Sequence, residues 1–169
     1  SWQEDGGPRH LAYAHDYAAL TDGFTRLYEA TGRLHWLRTA ASTAGSLIDL
    51  FWDTEHGGLF TTGHDAPALI SRPKDLTDGA TPSANTVAAN ALGRLAALLA
   101  TEDPDASRFA EISRTILALL ATVAAENPRA FSNLLLAADF HRGHTEVVIV
   151  GDRSDLVSAI QQSWMPHVV

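Results

Sequence analysis

Residues 16–52 read DYAALTDGFTRLYEATGRLHWLRTAASTAGSLIDLFW, and two helical periodicities lie side by side in them. From Asp16 to Ala30, the residues Tyr17, Leu20, Phe24, Leu27 and Tyr28 recur at spacings of three and four, the apolar stripe of an amphipathic helix. Thr31-Gly32 ends that run. From about Leu34 to Trp52 a second stripe follows, with Trp36, Leu37, Ala40, Ala44, Leu47, Ile48 and Phe51 on one face. Helices joined this closely are expected to pack antiparallel as a hairpin.

Working outward, the same pairing recurs. Thr81-Pro82-Ser83 is a helix start, since either hydroxyl can cap free backbone N–H groups and proline suits a first turn. That helix is expected to reach about Ala100. Its partner, Ala106 to Ala125, carries Phe109, Ile112, Ile116, Leu119, Leu120 and Val123. Pro128 opens a further helix to about Phe140. Between the first two pairs lies a long polar loop, residues 53–81, with paired glycines at Gly57-Gly58 and an extended reading for Leu59 to Thr62. A connection of that length inside a compact domain is uncommon and often functional. After residue 143 the pattern changes. Glu146-Val147-Val148-Ile149-Val150-Gly151 reads as a buried strand, Ser154 to Gln162 as a short helix, and His167-Val168-Val169 as a final strand. The expected fold is mainly α. Residues 1–143 form a partial (α/α) toroid of helical hairpins, and residues 144–169 a small α/β appendage. The absence of a fixed repeat period favours the toroid over a solenoid.

The chain has 169 residues, 46% of them apolar, enough to bury a sizeable core. Its 20 acidic against 12 basic residues give a net charge of −8, which argues against an extended basic footprint for nucleic acid or an anionic membrane. There is no cysteine, so no disulfide, thiolate nucleophile or Cys-rich metal site can be built. No apolar run approaches the roughly 18 residues of a membrane span, and the opening residues lack a signal-peptide pattern. The expectation is a cytoplasmic protein. Gly151 alone, without the remaining glycines of a dinucleotide-binding turn, gives a structural edge and no nucleotide site.

Trp52-Asp53, Gly57-Gly58-Leu59-Phe60, Arg72-Pro73-Lys74-Asp75, Asp78-Gly79-Ala80 and Pro82-Ser83-Ala84-Asn85 resemble, in order and spacing, the C-terminal helical domain of thioredoxin-domain-containing proteins of the DUF255 type. That family includes the spermatogenesis-associated protein 20 group. Asp16-Tyr17-Ala18, Leu27-Tyr28-Glu29-Ala30-Thr31-Gly32 and Val147-Val148-Ile149-Val150-Gly151-Asp152 resemble further segments of the same family. The family's aspartate pair stands here as His15-Asp16, and its PSGN as Pro82-Ser83-Ala84-Asn85. The resemblance implies an N-terminal thioredoxin-like domain followed by a helical toroid similar to N-acylglucosamine 2-epimerases and six-hairpin glycosidases. On that reading the chain is a C-terminal fragment with about half the ring. Loss of the other helices should leave an apolar flank exposed, favouring self-association or rearrangement.

The candidate site is the loop together with the start of the following helix, because such loops border the mouth of a toroid's pocket. Arg72 and Lys74 suit an anion or sugar oxygens, Asp75 and Asp78 accept hydroxyls or move protons, and Ser83 and Asn85 orient a ligand at a helix N-terminus. Trp52 is placed to stack on a sugar ring. The competing reading has Asp78, Ser83 and Asn85 fastening loop to helix, with Arg72 and Asp75 as a structural ion pair. A glycosidase would pair Asp16 with Asp53 or Asp78 across the scissile bond. An epimerase or isomerase would use His15 or His56 as acid and base. His56, His64 and Asp65 lack metal-site spacing, and Ser46, Ser83 and Ser113 lack an acyl-transfer setting. No cofactor or metal is expected. The leading expectation is a noncatalytic half-toroid whose intact ring binds a saccharide or other polar small molecule. Its rivals are a sugar-converting enzyme with Asp16, Asp53 and Asp78 in the site, and an interaction module that docks the thioredoxin-like domain.

Overall fold

The computed structural model describes all residues except 1, 5, 6, 9, 68, 69, 100–102, 164 and 166. Among the described residues six helices dominate: α1 (Ala14–Thr31), α2 (Leu34–Phe51), α3 (Ala84–Leu98), α4 (Pro104–Glu126), α5 (Ser132–Arg142) and α6 (Ser154–Gln161). A 3-10 turn, Pro128–Phe131, leads into α5. Near the amino end Trp2–Gln3 (β1) pairs antiparallel with Gly7–Pro8 (β2). No helix among the described residues is long and apolar enough to cross a membrane.

Local chemistry sets the helix boundaries. Gly32 adopts φ 65°, a left-handed conformation suited to glycine, and its N–H closes on the Tyr28 carbonyl, so α1 stops and α2 begins two residues later. Ser83 caps α3 by accepting from the Thr86 N–H, which leaves Pro82 outside the helix instead of in its first turn. Asp103 caps α4, with Pro104 at its first position.

The middle of the molecule is α3. It buries Ala88, Ala89, Leu92 and Leu95 completely and packs against α1, α4 and α5. Against it, Phe109 and Ile116 of α4 and Phe131 and Leu134 before and within α5 are at most 2% exposed. Each such side chain contributes roughly 1.5–3 kcal/mol over leaving it in water. Helix α2 packs chiefly on α1 and only lightly on α3 and α4. Thus α1, α3 and α5 form one row of neighbours, with α2 and α4 on its flank.

The three helices of the row run parallel. At one end the Ala14 N–H of α1 donates to the Thr61 carbonyl, while Asp78 accepts from the Ser83 N–H before α3 and from the Asn133 N–H in α5. At the other end the segment after Gly143 meets Ala30 of α1, Arg94 of α3 and Asp139 of α5. All three amino ends therefore face the 53–81 loop, and all three carboxyl halves face the C-terminal segment.

Two expectations fail in detail. The stripe of α1 is rotated: Ala14, Ala18, Thr21 and Thr25 are buried, Tyr17, Phe24 and Tyr28 are half-buried, and Leu20 and Leu27 are exposed at 51% and 39%. The small residues allow α1 and α3 to approach closely, and the hydroxyls of Thr21 and Thr25 are satisfied by donating to the carbonyls four residues back. The run from Glu146 to Gly151 is not a buried strand, for Val148 and Val150 are 83% and 85% exposed. A β-branched run becomes a buried strand only between neighbouring strands. Among the described residues one bridge joins Thr145 to Val168, and the expected final strand at His167–Val169 is limited to that pairing.

Apolar side chains stay uncovered at both ends of the row. They sit on its outer helices, with Leu20 and Leu27 on α1 beside Leu34 of α2, and Leu135 and Leu136 on α5, where a groove of about 480 Å³ runs between α4 and α5.

Candidate functional site

The loop after α2 turns at once. Asp53 accepts from the N–H groups of Glu55 and His56 through Oδ1, at 2.9 and 3.1 Å, and its own N–H donates to the Gly58 carbonyl. Gly57 and Gly58 take φ of 72° and 80°, which close the turn and strain any other residue. They also admit neighbours: a Cβ on Gly58 would lie 3.3 Å from Asn85 Oδ1 and from Leu119. Returning from the turn, Leu59 bridges to Trp52, whose ring edge packs near Gly57.

Lys74 closes the turn from the far side of the loop. Its ammonium donates to Asp53 Oδ2 at 2.7 Å and to the Gly57 carbonyl, and lies 4.9 Å above the Phe60 ring. Asp53 is buried, yet the Lys74 hydrogen bond, with the His56 and Glu55 N–H groups, outweighs burial and holds its carboxyl far below the usual carboxylate range. A carboxylate so held is a fixed anion and carries no proton to deliver near neutral pH. Arg72 lies over the same ring at 4.2 Å and donates to the carbonyls of Thr62 and Leu50. The structural ion pair expected between Arg72 and Asp75 is not formed; the guanidinium turns instead to the Thr62 carbonyl and to the Leu50 carbonyl, which also accepts from the His64 N–H.

Asn85 ties loop to helix. Fully buried, it accepts from the Leu59 N–H at 2.7 Å and donates to the carbonyls of Leu59 and Asp75 at 3.0 and 2.7 Å. The Leu59 peptide meets the amide much as it would a neighbouring strand. Asp78 is the second tie. One oxygen takes the Ser83 N–H and the Thr86 hydroxyl, the other the Asn133 N–H, and its own N–H donates to Ala130. Ser83 is buried and bonded to Thr86.

The structure therefore brings Trp52, Asp53, Lys74, Asn85 and Leu59 together, with Asp78, Ser83 and Thr86 forming an adjoining knot. Asp16 sits apart, accepting the Tyr13 N–H in the first turn of α1. The Asp75 side chain points into solvent, and the His56 ring is 70% exposed, 3.6 Å from Asp53. His15 is half-buried on α1. Sequence reasoning missed Thr86, Asn133 and the Phe60 platform. Only Thr86 carried a signal, three residues after the cap, where a capping partner belongs.

Ser113 also differs from its sequence setting. Its hydroxyl meets His141 Nε2 at 2.8 Å, where Gly93 leaves room for both side chains. Ser113 is fully buried and donates to the Ala89 carbonyl, so the pair braces α3, α4 and α5 and presents no nucleophile to solvent. Among the described residues no group of three or more histidine and carboxylate side chains is placed to hold a metal.

No known family profile matches the chain. Its sequence is similar to human spermatogenesis-associated protein 20, 40% identical over 93 residues that make up 54% of this chain and 12% of the relative. The rat protein of that name is 38% identical over 104 residues, 59% of this chain and 13% of the relative, and the mouse protein is 40% identical over 93. Over about half its length, then, the chain is homologous to a segment of spermatogenesis-associated protein 20, and it spans only about an eighth of those proteins.

Proposed function

We propose that the chain is a noncatalytic arc of a larger helical ring of the DUF255 type, and that the intact ring binds a carbohydrate-like or other polar small molecule. The observation that carries this reading is where the loop's polar groups go. Asp53, Asp78, Ser83 and Asn85 hold the 53–81 loop against the amino ends of three parallel helices, and their hydrogen-bonding atoms have partners inside the protein. The row of α1, α3 and α5 with α2 and α4 on its flank supports a ring segment, in which such a loop borders the mouth. Arg72, Lys74 and Trp52 then shape that border, and Asp75 and His56 are the groups left to face a ligand.

A glycosidase or epimerase needs a group that gives up a proton near neutrality. Asp53 is held ionised and the oxygens of Asp78 are taken by Ser83, Thr86 and Asn133, so neither is placed to serve as the acid, and Asp16 sits apart from both. The exposed leucines at both ends of the row favour coverage by the ring's remaining helices, with a thioredoxin-like domain or a second copy as the other candidates. We place the protein in the cytoplasm on the same reading.

The test is a saccharide panel measured by calorimetry on the full-length polypeptide that carries this segment. Asp75→Ala and His56→Ala should weaken binding of a recognised sugar without lowering the melting temperature, whereas Asp78→Ala should lower it. Should no sugar bind, or both exposed-residue variants bind unchanged, the mouth is not here. Turnover of a sugar that vanishes in a folded Asp53→Asn protein would replace the scaffold reading with the enzymatic one.

A further inference from the structure

We infer that the segment beginning at Thr145 is a latched strap across the carboxyl end of the α1, α3 and α5 row, which opens as a unit while the helices stay folded. This inference is independent of any ligand at the loop, which lies at the opposite end of the row.

The segment leaves the body at Gly143 and returns on itself. Its base is a short parallel pairing in which the Thr145 N–H donates to His167, the Val169 N–H to Thr145, and the Val147 N–H to Val169, at 2.8, 3.0 and 2.9 Å. The excursion between carries α6, which buries no residue. From this clip, polar contacts among the described residues reach each helix of the row. Gln161 Nε2 donates to the Ala30 carbonyl at the end of α1 (2.7 Å), Arg94 of α3 donates to the Val168 carbonyl, and His167 Nε2 lies 3.0 Å from Asp139 Oδ2 on α5.

Segments that open below the global unfolding free energy are those with few buried apolar contacts and hydrogen bonds close to solvent. The strap fits that description. Val148 and Val150 face solvent, as do Leu156 and Met165, and among the described residues no second strand backs the pairing at its base. Beneath it the situation reverses. Arg94 is 4% exposed, paired with Glu29 of α1 and placed 5.4 Å over the Phe140 ring. Opening removes the Val168 carbonyl and uncovers this charged pair, so the strap covers the carboxyl end of the row.

The test is native-state hydrogen exchange on the full chain. The amides of Thr145, Val147 and Val169 should share one protection level, about tenfold or more below Ala88, Ala89 and Leu92 of α3, with a weaker dependence on urea. Asp139→Asn and Gln161→Ala, both surface substitutions, should each raise exchange of the three strap amides several-fold and leave the α3 amides unchanged. Strap amides that exchange together with α3 would make the segment an integral part of the core. Exchange at the rate of an unprotected peptide, or rates unaffected by both substitutions, would equally overturn the latch.

Discussion

Asn85 makes three hydrogen bonds from a position with no exposed surface, and two of them satisfy both backbone polar groups of one residue, Leu59. Truncating it leaves a buried N–H and a buried carbonyl without partners. Asn85→Ala is therefore expected to cost about 3 kcal/mol, read as a lower urea midpoint, since stranding a buried polar group costs roughly 1–3 kcal/mol. Gly58→Ala probes the same junction from the other side. It places a side chain at φ 80°, 3.3 Å from Asn85 Oδ1, and should cost about 1–2 kcal/mol. Part of this was legible in the sequence. Asp78 and Ser83 are five residues apart and Ser83 and Thr86 three, so the capping reading could be framed from local chemistry alone. The Asn85–Leu59 and Lys74–Asp53 pairs span 26 and 21 residues, and no spacing rule reaches that far.

At the level of elements, periodicity located α1, α2 and α4 and the face that α2 and most of α4 bury, but it misplaced the buried face of α1. In α1 the large residues at three-and-four spacing, Leu20 and Leu27, stay in solvent, while the alanine and threonine stripe packs. Size alone misleads where two helices must come close, because a small residue on the contact face permits the approach that buries its neighbours. Ala18→Leu should therefore cost about 1–3 kcal/mol by overpacking against α3, while Leu27→Ala should change stability by no more than about 0.5 kcal/mol. Thermal or urea melts of the two variants distinguish this packing from the simple apolar-stripe reading, which orders them the opposite way. The Val147 to Val150 run failed for a related reason. Strand propensity describes a fit to a half-buried pleated surface, and among the described residues only Val168 and its neighbours serve as a partner.

For the molecule as a whole, two groups tie stability to acid in separate windows. Burial pushes the His141 imidazole below its ordinary value of 6.5, with Arg114 and His144 adding to the effect. The folded protein thus prefers the neutral ring, and the unfolded chain binds the proton more readily. Stability from this group is present above pH 6.5 and is lost as the pH falls below it, down to the folded value. Asp53 acts lower. Its carboxyl is held down by Lys74 first, so its contribution is present above the ordinary 3.8 and declines as the pH falls from there toward the folded value. A plot of urea midpoint against pH should descend in two steps. His141→Gln keeps an amide donor for Ser113 without a titrating charge and should flatten the upper step alone. Lys74→Met should lower the midpoint at neutral pH and shrink the lower step, because the ionised Asp53 then loses the ammonium that most favours it against burial. An upper step that survives His141→Gln would assign the loss to another histidine and leave the Ser113–His141 brace without a role in acid sensitivity.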